Sequence, residues 1–414
     1  MISSIRIARG QSSNFRMNVD GVKGKSLSNI EIPAKDSLFV FVAVTVDPNN
    51  LLTPFLLTDS IVFVTNGIVQ DVNLIAYGQN AHFIKATKHQ QWLPSYKIIC
   101  KEKHDTTWTP ELPIVIYGGY ALIDSLCCLT IEAGTKIYSH NNSGLWVYQG
   151  GCLIVNGTKE NPVIFQGDRL EAEYREKAGQ WDRIWINEGS KNNVINYAII
   201  KNGFIGIQAE TVEKPLGNIL VLTNTKIENM SGMGLFSRFY GIVGFNTLIT
   251  NCGQYAAALT WGGAYQFIHC TFANYWNEST RKTPSLLLNN YAEGEDKIYD
   301  FSLSQADFQN CIIYGGNENE LSLDSASTGK FIYNFQNCLL KSKGVGIVNG
   351  SAVDSAIYSM ETIYKSNKDF HLNSSSPAID KGNAELNKNY LFILNTDLDG
   401  KIRDGKPDLG VFEY

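Results

Sequence analysis

The chain lacks three features that would place it at once in a broad functional class. Its 414 residues carry a formal net charge of only -5 and contain no block of Lys and Arg, so a surface that neutralises nucleic-acid phosphates is not expected. No apolar run reaches the roughly 18 residues of a membrane-spanning helix. Residues 1–6 show neither the cationic nor the apolar region of a signal peptide, so none is expected within this stretch.

Charged residues and helical periodicity are also scarce. Only 18% of the residues are charged, whereas 44% are hydrophobic and 11% are aromatic. This composition is typical of a folded, strand-rich protein and argues against extensive disorder. The length exceeds that of a usual single domain, so two domains or one elongated repeat body are expected.

Residues 1–95 have the pattern of a small β-domain. Alternating or β-branched runs occupy residues 38–46, 60–65 and 69–77, and turn-forming residues follow at 47–50 and 65–67. We therefore predict a β-sandwich over residues 1–95. Residues 96–113 are predicted to be a linker.

From residue 114 onward the sequence repeats. Six five-residue segments share a small first residue, a large apolar third residue and a turn former at the fifth position; they are residues 198–202, 225–229, 247–251, 270–274, 311–315 and 338–342. Their third positions are 27, 22, 23, 41 and 27 residues apart, which is solenoid spacing. The same template fits residues 152–156 and resembles residues 129–131. We predict an all-β fold in which a right-handed parallel β-helix of about ten coils spans residues 114–414, with first and third side chains pointing inward.

The template also gives roles to Cys and Asn. Cys152, Cys270, Cys311 and Cys338 fall at the small inward position, which predicts packing as small apolar residues rather than disulfide bonding, because stacked side chains run parallel. The turn position predicts a ladder of Asn202, Asn229, Asn251 and Asn274, with a polar binding ridge as the alternative. His269 precedes Cys270 where other repeats have Asn, so it is interpreted as a surface or ladder residue.

Three groups of segments resemble known proteins. Residues 129–137 and 153–165 resemble the opening coils of right-handed parallel β-helix proteins of the pectate-lyase-like superfamily. Residues 376–382 and 397–414 are similar to the closing segments of such proteins from Bacteroidetes-type bacteria, and residues 46–79 look like the small β-domain of their surface lipoproteins. The resemblance implies an exported protein at the cell surface or outer membrane, with a lipid anchor upstream of this chain.

This resemblance implies no single activity, because the superfamily includes lyases, hydrolases and adhesins. Of the signature motifs of its polygalacturonases, only Asn395-Thr396-Asp397 has a counterpart, and it stands in the closing segment. The six His residues are scattered, and residues 397–400 begin like a calcium loop without its later ligands, so neither a metal nor a cofactor is expected. Pairing of Asp397 or Asp399 with Arg403 is instead expected to hold a cap over the open end of the coil.

Two interruptions of the repeat are candidate binding regions, because insertions commonly map to a binding face. One is the charged stretch 168–183, and the other lies within the 41-residue step. The candidate ligand-binding residues are Trp261, Tyr265, Tyr275, Trp276, Glu278, Arg281, Asp182 and Arg183. Aromatic faces beside charged groups suit sugar rings, although the same aromatic residues also serve simply to cover a coil.

The favoured hypothesis is a monomeric surface protein that binds an extended ligand such as a polysaccharide near the second loop, without catalysis. The first alternative is a polysaccharide lyase or glycoside hydrolase that uses Arg183, Arg281, Asp182 or Glu278. The second alternative is a structural or adhesive role. A clustered pair of carboxylates, or an Arg with a Tyr, would favour the enzyme, and a flat aromatic strip would favour binding.

Overall fold

The computed structural model describes residues 1–46, 55–101, 104–212, 219–326, 328–342, 352–353 and 360–414. Within it the chain divides into two compact units, Met1–Ala81 and His82–Tyr414. The fold is all-β: the first unit is a small antiparallel β-domain and the second is a parallel β-helix, as predicted. No helix in the described ranges has the length and apolarity needed to traverse a lipid bilayer.

The first unit consists of two antiparallel sheets around one core. Its strands are β1 (Ile2–Ile7), β2 (Phe15–Val19), β3 (Val22–Gly24), β4 (Ser26–Ile30), β5 (Val40–Val44), β6 (Phe55–Thr65) and β7 (Ile68–Gly78). The sheets have the orders β4-β1-β6-β7 and β3-β2-β5, and Ile5, Ile7, Phe15 and Met17 are buried together. Asn66 and Gly67 connect β6 to β7 with φ of 51° and 77°, the left-handed pair of a tight hairpin turn. The turn predicted at residues 47–50 lies outside the described residues.

The second unit coils through three parallel sheets, one strand of each sheet per coil. Sheet 1 contains β8 (His82–Lys85), β11 (Ile114–Tyr117), β14 (Lys136–Ser139), β17 (Val163–Gly167), β20 (Ala198–Lys201), β23 (Lys226–Met230), β26 (Leu248–Cys252), β29 (Thr271–Asn274), β34 (Ile312–Gly315), β37 (Leu339–Leu340) and β38 (Ala352–Val353). Sheet 2 contains β9 (Tyr96–Cys100), β12 (Tyr120–Ile123), β15 (Gly144–Val147), β18 (Ile184–Ile186), β21 (Ile205–Glu210), β24 (Met233–Arg238), β27 (Ala257–Thr260), β30 (Leu286–Asn289) and β35 (Leu321–Asp324). Sheet 3 contains β10 (Thr106–Trp108), β13 (Cys128–Glu132), β16 (Cys152–Asn156), β19 (Asn193–Asn196), β22 (Ile219–Thr223), β25 (Gly241–Phe245), β28 (Gly263–Ile268), β33 (Leu303–Gln309) and β36 (Asn334–Gln336).

The repeat template corresponds to sheet 1. Its third positions are fully buried and stack in register through successive coils in the order Ile200, Ile227, Ile249, Phe272, Ile313 and Leu340. Parallel pairing places residues one period apart directly over one another, so each coil adds one apolar layer to a continuous core. The prediction of inward stacking is confirmed.

The assignment of residues 152–156 to the same template is wrong. They form β16 of sheet 3, where Leu153 and Val155 are buried in the core and Ile154 faces outward. The alternation is displaced by one residue, which reverses the faces of the strand. The sheet 1 strand of this coil is β17, whose Phe165 lies beside Ile200.

The boundary between the units differs from the one expected at residue 95. Strands β8, β9 and β10 pair in parallel with β11, β12 and β13, so residues 82–108 already supply a strand to each sheet of the β-helix. The stretch 96–113, expected to be a linker, therefore contains β9 and β10. Trp108 within this stretch is buried in the core of the β-helix.

The cysteines behave in two ways. Cys270, Cys311 and Cys338 are buried at the start of successive sheet 1 segments and lie outside the disulfides, as predicted. Cys152 instead forms a disulfide with Cys128, which corrects the expectation, and a second disulfide joins Cys100 to Cys127. Because Cys128 and Cys152 are direct partners at the start of β13 and β16, their Cα atoms are only 4.5 Å apart.

The predicted asparagine ladder exists in part. Asn202, Asn229 and Asn251 have left-handed φ angles of 64°, 58° and 51°, and Asn229 Nδ2 donates to Asn202 Oδ1 over 2.7 Å. Asn274 follows a different pattern, since its Oδ1 accepts from the Cys252 amide. His269 belongs to a second left-handed corner but is fully buried rather than on the surface, and its Nε2 contacts Asn387 Oδ1.

The described C-terminal residues 360–414 cover the outer face of sheet 1. They include α1 (Met360–Ile363), α2 (Leu391–Leu394) and a 3-10 turn at Ala384–Tyr390; further 3-10 turns lie at Gly10–Ser12 and Ala172–Tyr174. Tyr364, Phe370 and Val411 pack on Ile312 and Tyr314, which point away from the coil interior. In the part of the chain that the structure describes, this segment packs on the side of the coil, whereas a cap over its open end was expected.

Arg403 also has a different partner from the one expected. Its guanidinium forms an ion pair with Glu413 and donates to Asn246 Oδ1 over 3.0 Å. The Asp397 carboxylate instead accepts hydrogen bonds from the backbone amides of Lys401 and Glu413. Arg403 thereby ties the C-terminal segment to a corner of the β-helix.

Candidate functional site

An aromatic column lies on the outer face of sheet 2. Trp146 of β15 and Trp185 of β18 are register partners, and their indole rings stack with centroids 4.8 Å apart and an interplanar angle of 14°. Trp146 is buried against Tyr96 and Tyr120, whereas Trp185 is only half-buried. The column therefore ends in an indole that reaches the surface.

Glu210 at the end of β21 fixes the polar groups beside this column. Its Oε1 accepts from Trp185 Nε1 over 2.6 Å, and its Oε2 accepts from Gln208 Nε2 over 2.8 Å and Arg238 Nη1 over 3.2 Å. With both oxygens occupied by protein donors, Glu210 orients its neighbours. It is not a free base.

Arg238 and Trp261 form the other end of the same face. The Arg238 guanidinium lies 4.8 Å from the Phe236 ring centroid and 5.1 Å from that of Trp261, a cation–π arrangement that holds a partly exposed charge. Trp261 stacks on Phe301 and has a left-handed φ of 61°, and its amide donates to Asn289 Oδ1 over 2.8 Å. Such a backbone conformation is uncommon for a bulky residue, so the corner is held by its surroundings.

These residues enclose an open groove of about 410 Å³, called here the sheet 2 groove. It is lined by Leu93, Trp146, Tyr148, Gln149, Trp185, Asn187, Glu188, Glu210, Thr211, Val212, Arg238 and Trp261. The volume lies within the range of ligand-binding clefts. From Trp185 on β18 to Trp261 after β27 the groove crosses three strand spacings, or about 14 Å.

Asp182 and Arg183 lie on the same sheet but do not line this groove. Asp182 accepts a hydrogen bond from the Tyr120 hydroxyl and pairs with Arg183 at 2.9 Å, and Arg183 donates to Gln208. Burial, reinforced by the Asp182 charge, raises the pKa of Tyr120 well above its usual value. A Tyr that is buried, protonated and bonded to a carboxylate cannot act as a base, so this Arg–Tyr cluster supports the sheet.

A second cavity of about 490 Å³, the loop cleft, lies where both interruptions of the repeat meet. It is lined by Glu176, Glu228, Asn229, Asn251, Tyr275, Trp276, Asn277, Glu278, Asn367, Lys368 and Phe370. Trp276 is half-buried and its Nε1 donates to Ser279 Oγ over 2.9 Å, and Glu278 is exposed. Three of the eight predicted site residues, Tyr275, Trp276 and Glu278, therefore come together here.

The remaining two predicted residues are inside the protein. Tyr265 is buried in the coil, and its hydroxyl contacts Ser237 Oγ at 2.9 Å. Arg281 is buried in a bidentate ion pair with Glu320, with N–O distances of 2.6 and 2.9 Å. Neither side chain is available to a ligand. The loop after β29 shares the extra length of the 41-residue step with a hairpin of β31 (Tyr291–Glu293) and β32 (Ile298–Asp300).

No motif or interruption of the repeat indicates Trp146, Trp185, Glu210 or Arg238 as site residues. Trp146 and Trp185 are register partners, but the charged stretch 168–183 lengthens the coil between them, so the regular repeat spacing does not align them. Glu210 of β21 and Arg238 of β24 are register partners one coil apart. Each of these sheet 2 strands follows the sheet 1 strand of its coil, in which the repeat template lies. Extending the repeat register to sheet 2 is the signal that would have found them.

Within the described ranges, no three His, Cys, Asp or Glu side chains are close enough together to bind a metal ion. Comparisons of the chain with protein-family models, with curated proteins and with solved structures gave no match. The described molecule is thus characterised by its architecture, a parallel β-helix that follows an antiparallel β-domain in the sequence, and by the sheet 2 groove and the loop cleft.

Proposed function

We propose that the protein binds an extended glycan in the sheet 2 groove without cleaving it. The observation that carries this proposal is the pair of half-buried indoles, Trp185 and Trp261, at the two ends of a groove about 14 Å long, with the Arg238 guanidinium between them. Indole surfaces pack against the CH faces of sugar rings, and a fixed guanidinium donates to their hydroxyl or carboxylate oxygens.

Binding is favoured over catalysis because Glu210, Asp182 and Arg281 are each bonded to other groups of the protein. Both Glu210 oxygens accept from protein donors, Asp182 is bonded to Tyr120 and Arg183, and Arg281 is buried against Glu320. A general acid or base needs a proton-exchanging group within reach of substrate. The groove supplies fixed positions for a ligand, which suits recognition.

We further propose that the protein belongs to the pectate-lyase-like superfamily and is an exported, monomeric surface protein of the Bacteroidetes type, held by a lipid anchor upstream of this chain. The segments 129–137, 153–165 and 376–414 support the kinship. The disulfides Cys100–Cys127 and Cys128–Cys152 support export, because disulfides persist in oxidising compartments. Protease treatment of intact source cells tests the location: loss of the protein is expected, and full protection would contradict it.

A glycan array followed by calorimetric titration of the best ligand tests the binding. Trp185→Ala and Arg238→Ala are each expected to weaken binding at least about tenfold, since a buried stacking or charge-assisted contact contributes about 1.4 kcal/mol or more. Phe392→Ala is the control, because Phe392 is 84% exposed on the C-terminal helix. Release of reducing ends or unsaturated products from any bound glycan would contradict a purely binding role.

A further inference from the structure

The loop cleft has a surplus of hydrogen-bond acceptors. Glu176, Glu228 and Glu278 line it against a single basic side chain, Lys368, and four Asn residues contribute further carbonyl oxygens. The Oδ1 atom of Asn251 at its wall is buried and accepts no hydrogen bond among the described residues. Buried acceptors normally have donors, so these groups indicate a missing partner that carries N–H groups.

Among the groups that line the cleft, Glu228 gives the strongest indication of a cationic ligand. It points outward from β23 between Lys201 and Thr250 of the neighbouring strands, and its carboxyl forms no hydrogen bond or close ion pair among the described residues. Burial, with the Glu176 charge, raises its pKa despite the longer-range influence of Lys201 and Lys226. An unpaired carboxyl in such a position is stabilised when a cation binds beside it.

A bare metal ion does not fit this arrangement, since the carboxylates that line the cleft do not form a metal-binding cluster in the described part of the chain. A larger organic cation does fit. The cavity of about 490 Å³ accommodates a ring-sized group, and Trp276 presents a half-buried indole at its wall, which favours a sugar ring or an attached ammonium group.

We propose that the loop cleft is a second binding site, independent of the sheet 2 groove, for a protonated primary amine on a sugar ring, that is, an amino sugar with a free amine. Glu228 receives the ammonium group, Glu176 and Glu278 contribute charge from two separate loops, and Trp276 packs against the ring. The charged stretch 168–183 and the loop after β29 thereby acquire a joint role.

Titration of the full chain with a β-1,4-linked glucosamine trisaccharide and with its N-acetylated counterpart tests the site, because acetylation removes the charge and keeps the rings. The free amine is expected to bind at least about tenfold more tightly. Equal affinity for the two sugars, or binding of neither, would overturn the proposal.

Variants locate the site. Glu228→Gln keeps the shape and is expected to weaken binding of the glucosamine trisaccharide at least about tenfold, and the exposed Glu278→Gln about threefold. Glu132→Gln, an exposed carboxylate at the end of β13, is the matched control and is expected to bind as wild type. Thermal unfolding verifies that each variant is folded. A loss in Arg238→Ala but in neither Glu variant would place the amine in the sheet 2 groove and overturn the proposal.

Discussion

Arg281 was predicted to bind a ligand but instead forms a buried structural ion pair with Glu320. Their side chains are only 3% and 0% exposed, and Glu320 also accepts from the Ser285 amide and hydroxyl. Gly315 makes room for it, since a Cβ there would lie 2.3 Å from Glu320 Oε1. The pair anchors the loop after β29, which carries Trp276 and Glu278 to the wall of the loop cleft, and Arg281 itself does not line that cleft.

Glu320→Gln is expected to lower the free energy of unfolding by about 3 kcal/mol or more, because it leaves Arg281 as a buried charge without its partner. Chemical denaturation monitored by circular dichroism measures the change. Glu171→Gln is the control, since the Arg169–Glu171 pair is partly exposed and exposed pairs contribute about 0–1 kcal/mol. Equal effects of the two substitutions would contradict the structural role given to Glu320.

At the scale of elements, the first coils are reinforced covalently and the later coils are covered by the C-terminal segment. The two disulfides join β9 to the residue before β13, and β13 to β16. Residues 360–414 lie on sheet 1 between β26 and β37. These two devices reinforce different parts of the same solenoid, in which each coil otherwise contacts only its neighbours.

Replacement of both Cys128 and Cys152 by Ser is expected to lower the free energy of unfolding by about 3 kcal/mol, the contribution of a bond that closes a loop of this length. Denaturant titration of the variant and of the oxidised wild type measures the difference. Peptide mapping without reductant provides the structural check: free thiols at Cys128 and Cys152 in the oxidised protein would contradict the assignment.

The C-terminal segment should also respond to acid. Desolvation raises the pKa of Asp369, but hydrogen bonds from the His371 side chain and amide outweigh it, so the net pKa is lowered. A carboxyl with a lowered folded-state pKa stabilises the protein above its unfolded pKa of about 3.9, and this contribution disappears as the pH falls through the folded-state value.

His371→Ala is therefore expected to reduce stability at pH 5, with the difference from wild type shrinking as the pH falls below about 4. Thermal unfolding between pH 5 and pH 2 measures this trend, and His104→Ala, an exposed His in the described part of an early coil, is the control. A difference that grows toward low pH would have the wrong sign for this account.

For the whole molecule, the architecture could be predicted because the inward-pointing apolar residues that stack in the core recur at a regular spacing in the sequence. Stacking requires the same residue type every coil, and Ile227, Ile249 and Phe272 carry that signal directly. The one-residue displacement at Cys152 was missed because strands of different sheets share similar composition. A template found in sheet 1 does not specify the face of a sheet 3 strand.

The candidate site was predictable only in part, because its geometry depends on loop length. Trp276 and Glu278 were found since their loop interrupts the repeat, and they do lie at a cavity. Trp185 and Arg238 lie on strands of sheet 2 and line the same groove as Trp261 only through the register of that sheet. Tyr265 and Arg281 were predicted as site residues but are buried. Residue spacing in the sequence does not distinguish a buried Tyr from an exposed one.

The most direct test of the central claim is a crystal structure of the full chain with the tightest-binding oligosaccharide from the array. The account predicts that sugar rings extend along sheet 2 from Trp185 to Trp261, with an oxygen atom of the glycan within hydrogen-bond distance of the Arg238 guanidinium. A glycan bound on another face, with the sheet 2 groove empty, would contradict it.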